Sequence, residues 1–225
     1  MTIIAGIEFH FDFDYHEINT NEAENYLKEV TYKYSSLLFN QNNKIEVILR
    51  EGSIKATILV LGTLYIAIGQ YGSFRSGIEY IIKDSRLLLD SVASEFIKNG
   101  INEKDIIKSK KLYCIPNRIH RILLAIENLE KKNSYETLTK EIAKIKKSIQ
   151  NTCYFMDDQD AGSFILSLNK NYWPDDRRIP FYIEQYKLAA REEDVKSNPI
   201  SNKSEMALNA LLSNNSYQNG NPLEK

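Results

Sequence analysis

Between Lys55 and Arg75 lie nineteen residues, ATILVLGTLYIAIGQYGSF, without a single charge. No other feature constrains the fold as much. As one helix the run would extend about 28 Å, close to a hydrocarbon core of about 30 Å. Lys55 and Arg75 would then stand where interfacial cations stand. Gly69, Ser73 and Gly77 recur every four residues, a small-residue ridge that lets helices approach closely. Against a span, Gln70 and the glycines dilute the hydropathy, and the strongly apolar part is only Ala56 to Gly69, a length more typical of buried core. Residues 54–61 read equally as a strand or as the start of the helix, because a run apolar on all faces has no period.

The flanks are easier to read. Ile7, Phe9, Phe11, Phe13 and Tyr15 alternate with Glu8, His10, Asp12 and Asp14, so the first strand has one wet face. Asn19-Thr20-Asn21, with Glu24 three residues after Asn21, signals a helix start. Ala23, Leu27, Val30 and Tyr34 then carry a helix to about Phe39. Ile45, Val47 and Leu49 make a second strand, and Gly52 supplies a turn after it. From Ser73, a stripe of Ile78, Ile81, Ile82, Ser85, Leu88, Leu89, Val92 and Phe96 predicts a long helix ending at Asn99-Gly100.

Pro116 opens another helix with the apolar face Ile119, Ile122, Leu123, Ile126 and Leu129. Leu138, Ile142, Ile145 and Ile149 mark its antiparallel partner after a short connection. Asp157 to Gly162 break that helix, with Asp160 as the N-cap of a short helix around Phe164 to Leu168. Phe181 to Arg191 read as a last helix, and composition after Val195 is that of a disordered tail. The chain therefore reads as α+β: a small N-terminal β-α-β(β) unit, then a mostly helical region with a central apolar helix. Its divisions are residues 1–54 (α/β unit), 55–100 (apolar segment and amphipathic helix), 101–194 (helical region) and 195–225 (tail).

Composition removes several function classes. A formal net charge of −1 supplies no global basic field for nucleic acid. Two cysteines, Cys114 and Cys153, far apart, argue against a zinc site or a disulfide framework. The start, MTIIAGIEFHFDFD, lacks the basic and long apolar regions of a signal peptide.

Two constellations could carry chemistry, and a third fails. Glu8, Asp12 and Asp14 share the wet face of the first strand with His10, a disposition that a divalent ion and phosphodiester hydrolysis would need. The polar face of any half-buried strand looks similar. Lys110, Lys111, Arg118, His120 and Arg121 form a local basic patch suited to phosphates or polynucleotide. More often such a patch is the solvated face of helices, here balanced by Glu127, Glu130, Glu136 and Glu141. Asp157 to Gly162 fail as a calcium loop, because Leu168 stands where a bidentate Glu is needed.

Glu51-Gly52-Ser53, after a strand-helix-strand unit and before an apolar segment that leads to Tyr71-Gly72-Ser73-Phe74-Arg75, resembles uncharacterised modules of bacterial anti-phage operons. The likeness covers roughly residues 1–100. It implies a non-enzymatic effector or partner protein controlled by another gene product, and carries over no catalytic residue. The preferred expectation is a membrane-associated, self-assembling effector of anti-phage conflict, in the cytoplasm or at the inner membrane. Gly69, Ser73 and Gly77 would pack its copies as a homo-oligomer, without cofactor or metal. A regulatory protein or nucleotide-derived ligand would hold it closed. The rivals are a soluble interaction or regulatory protein with the run as core, and a metal-dependent phosphodiesterase.

Overall fold

The computed structural model describes residues 1–39, 42–50, 53–64, 73–129 and 135–171. They form an α+β protein with a four-stranded antiparallel sheet and five α-helices. By their contacts they divide into two compact units, residues 3–116 with Met1, and residues 117 onward with Thr2.

The first unit runs β1 (Thr2–Asp14), α1 (Thr20–Phe39), β2 (Lys44–Arg50), β3 (Ser53–Gly62), α2 (Phe74–Lys98) and β4 (Ile106–Lys111). In the sheet the order is β2-β3-β1-β4. Strand β3 thus inserts between β1 and β2, which α1 connects. This β-α-β-β-α-β connectivity is the split β-α-β, or ferredoxin-like, arrangement. Antiparallel pairing joins β2 to β3 from Lys44↔Leu61 to Arg50↔Lys55, and β1 to β4 from Ile7↔Lys111 to His10↔Lys108.

The apolar run is divided. Its first seven residues, Ala56 to Gly62, belong to β3, so the expectation of one inserting helix from Ala56 to Phe74 is corrected. Position in the sheet explains the composition. Ala56, Ile58 and Val60 share a face with their β2 partners Leu49, Val47 and Ile45, while Thr57, Leu59 and Leu61 lie on the other, and all six β3 residues are buried. An inner strand covered on both faces needs a continuous apolar run rather than an alternating one. Residues 65–72 lie outside the described residues. Among the described residues, no helix is long and apolar enough to cross a membrane.

The same physics lengthens β1. Thr2 to Ile7 are all buried, whereas from Glu8 onward buried and half-buried residues alternate as far as Phe11. The alternation that marks the strand in sequence therefore begins only where one face becomes wet. Gly6 is required by close approach: a Cβ there would meet Cys114 Sγ at 3.1 Å and Leu112 Cβ at 3.2 Å.

Helix α1 opens on Asn19, not on Asn21. The Asn19 carboxamide oxygen accepts from Glu22 N–H at 3.4 Å, and its Nδ2 donates to the Glu22 carboxylate at 2.8 Å, a reciprocal cap. Helix α2 buries Gly77, Ile78, Ile81, Ser85, Leu88, Val92 and Phe96, very nearly the stripe read from sequence. It ends as expected: Gly100 has φ +98°, its N–H reaches Ile97 O, and Ile101 N–H reaches Phe96 O at 3.0 Å, closing the last turn.

Both helices pack within this unit, α1 on β2, β3 and α2, and α2 also on β4. Phe96 is the anchor. Its ring meets Phe9 edge-on at 5.0 Å, Phe11 at 5.8 Å and Tyr26 of α1 at 5.9 Å. The odd-numbered face of β1 is therefore the helix face. Above this cluster, Glu95 of α2 accepts from Lys33 Nζ and from the Tyr34 hydroxyl, each at 2.6 Å. These donors, Lys33 first, hold its carboxyl below the usual carboxylate range.

The second unit contains α3 (Ile115–Leu129), α4 (Tyr135–Tyr154) and α5 (Asp158–Asn171), with α3 beginning at its boundary. The predicted apolar face of α3 is wholly buried, as are Ile145 and Ile149 of α4. The connection on which the expected hairpin turns, residues 130–134, lies outside the described residues. Helix α5 begins earlier than predicted, and its cap is Asp157, whose carboxylate accepts Gln159 N–H at 3.0 Å. Asp160 is corrected from cap to buried acceptor: it receives the Thr2 hydroxyl, which itself accepts Asp157 N–H at 3.0 Å. The expected helix from Phe181 to Arg191 and the tail lie outside the described residues.

Candidate interaction edge

The two outer strands of the sheet, among the described residues, are β2 and β4. An outer strand exposes main-chain donors and acceptors, and charged side chains are one means of managing that exposure. Strand β4 reads IIKSKK, with Lys108, Lys110 and Lys111 within six residues. The sequence pattern does not predict this strand. Its signal was the β-branched pair Ile106-Ile107, masked by lysines that lower the local strand propensity. The bonded pair Asn102 and Asp105, with Nδ2 to carboxylate at 3.1 Å, brackets the turn before it.

Each β4 side chain has a defined place. Lys110 faces Glu8 across the strand pair, with Nζ 3.0 Å from the carboxylate and both groups half-buried. Lys108 stands opposite His10 and is exposed. Lys111, opposite Ile7, is on the helix face, where its Nζ reaches Ile82 O of α2 at 3.5 Å. Burial, followed by the Arg86 charge, pushes the Lys111 ammonium below the usual lysine range. Arg86 is one turn beyond Ile82 on the same helix face.

Two residues of the expected basic patch do not share a face. Lys110 and Lys111 are successive strand residues and point to opposite faces. Arg118, His120 and Arg121 belong to α3 in the second unit. There the Arg118 guanidinium lies 5.3 Å from the centre of the Phe155 ring, and Arg121 is exposed.

The acidic face of β1 is divided in a similar way. Glu8 is engaged by Lys110. The Asp14 carboxylate accepts His16 N–H at 3.0 Å and caps a short 3-10 turn. Asp12 is exposed. Among the described residues, no three His, Cys, Asp or Glu side chains gather so as to hold a metal ion.

Of the expected helix-packing residues, Gly69 lies outside the described residues. Ser73 is the N-cap of α2 and accepts Ser76 N–H at 3.3 Å, while Gly77 is buried and donates its N–H to Ser73 O at 2.9 Å. Gly77 is thus already covered within this chain, and Ser73 has a capping role that requires no second copy.

No family model, curated protein or solved structure matches the chain.

Proposed function

We propose that this chain is a non-enzymatic interaction protein in which the described start of the charge-free run, Ala56 to Gly62, serves as core. The observation that carries this reading is β3. A strand buried on both faces at the centre of a four-stranded sheet has no face left for lipid, and its hydrogen-bonding capacity is committed to β1 and β2. The charged side chains of β1 also favour it, since Glu8 and Asp14 are engaged in structural contacts. Binding to another gene product is what the likeness to anti-phage modules implies. A ferredoxin-like sheet hosts many unrelated functions, so the reading rests on these residues and not on the fold.

Fractionation of cells expressing the full chain tests it. Carbonate and high-salt washing should release the protein from membranes. Retention until detergent is added would overturn the reading. In detergent-free buffer, amide exchange should be slowest in Thr57 to Leu61, as expected for an inner strand.

A further inference from the structure

The main chain of β4 has an inner and an outer side. Leu112 N–H donates to Gly6 O at 2.8 Å, and the register pairs Glu8 with Lys110 and His10 with Lys108. In an antiparallel ladder, residues that exchange hydrogen bonds alternate with residues that do not. Leu112, Lys110 and Lys108 therefore bond inward to β1. Ser109 and Lys111 turn their N–H and C=O groups outward, away from the sheet. Ile107, Lys108 and Ser109 are all exposed, with Ile107 at 53%.

The charges around this edge are unbalanced. Lys110 has Glu8, but Lys108, Lys111 and Arg86 form no ion pair among the described residues. Lys108 stands on one face of the strand, and Lys111 with Arg86 on the other. Such a set repels a second copy of the same edge, because lysines would meet lysines. It attracts an extended segment of opposite sign, whose alternating side chains would reach both groups of cations.

We propose that β4 is a docking edge, at which an extended acidic segment of a partner protein adds as a fifth strand beside Lys108 to Lys111. The proposal rests on the interaction-protein reading and names its partner class. Main-chain bonds to Ser109 and Lys111 supply the register. Carboxylates facing Lys108 on one side and Lys111 with Arg86 on the other supply the selectivity.

The test uses the full chain and a labelled peptide of alternating Glu and Val, with a Lys-Val peptide as control. The acidic peptide should bind, weaken as salt is raised, and slow amide exchange at Ser109 and Lys111. Ser109→Pro removes an outward N–H without touching the β1 ladder and should weaken binding by about tenfold. Lys108→Glu, at an exposed position, should weaken it by a similar factor of about ten and covers the case in which the proline variant does not fold. Failure of the acidic peptide to bind would overturn the proposal, as would binding indifferent to both variants. Protection of the same amides by protein concentration alone would indicate a second copy instead. An oligonucleotide that bound as well, indifferent to Ser109→Pro, would make the edge a simple polyanion surface. A chain released by carbonate that binds no acidic peptide overturns the docking edge alone, whereas retention in washed membranes overturns the reading beneath it.

Discussion

Strands β3 and β4 belong to one sheet and have opposite chemistry. Strand β3 is free of charge from Ala56 to Gly62 and buried on both faces, while β4 carries three lysines in six residues, each of them exposed or half-buried. Strand β1 stands between them and shows both regimes, buried throughout at its start and wet on one face from Glu8. What separates the strands is distance from the edge of the sheet. The inner strand gains stability from every apolar contact, and the outer strand must stay compatible with water and avoid adventitious pairing.

Substitutions can break that contrast or sharpen it. The largest effect belongs to Ile58→Asp, which buries an unpaired carboxylate at a site with no exposure. It should cost more than about 4 kcal/mol and leave no cooperative urea transition. The matching change on the outer strand, Lys108→Asp, should stay within about 0.5 kcal/mol of wild type. Equal losses at the two positions would abolish the distinction. Phe96→Ala comes next, since it empties the cluster that joins α2 to the phenylalanine face of β1. A loss of about 3–5 kcal/mol by urea denaturation is expected.

Two smaller effects are read from pH. Because the carboxyl of Glu95 is held below its ordinary value, its contribution is present above that value and lost as pH falls through the lowered one. Stability profiles of wild type and Glu95→Gln should therefore converge in acid. The pH slope has the same sign at Lys111, although there burial first and Arg86 second disfavour the charged form in the fold. Protein stability should rise as pH climbs between the lowered value and the ordinary lysine value, and Lys111→Met should flatten that rise. An unchanged slope in the variant would mean that burial does not disfavour the Lys111 charge.

The parts of the fold legible in sequence are those with a single wet face. Helix α2 was readable from its stripe to its final glycine, because 3.6-residue periodicity survives wherever one side meets water. The second half of β1 was readable by alternation for the same reason. The first half, Thr2 to Gly6, and β3 were not, because covering both faces removes the period. Strand β4 failed for the opposite reason: its lysines satisfy the demands of an edge and hide the strand. Among the candidate site residues, the Glu8–Lys110 pair needs the β1–β4 register, which joins positions about a hundred residues apart. Arg86 beside Lys111 likewise needs α2 to pack on β4.

By itself the sequence determined the α+β class, the positions of α1 and α2, the apolar faces of the later helices and the importance of the run after Lys55. Local hydrophobic periodicity and end signals suffice for those. Only the tertiary structure decided that the run begins as the inner strand of a split β-α-β sheet, that Lys110 and Lys111 point apart, and that Asp160 is a buried acceptor rather than a cap. Each of these depends on which distant segment covers a residue, and burial by a distant segment leaves no period in the residues it covers.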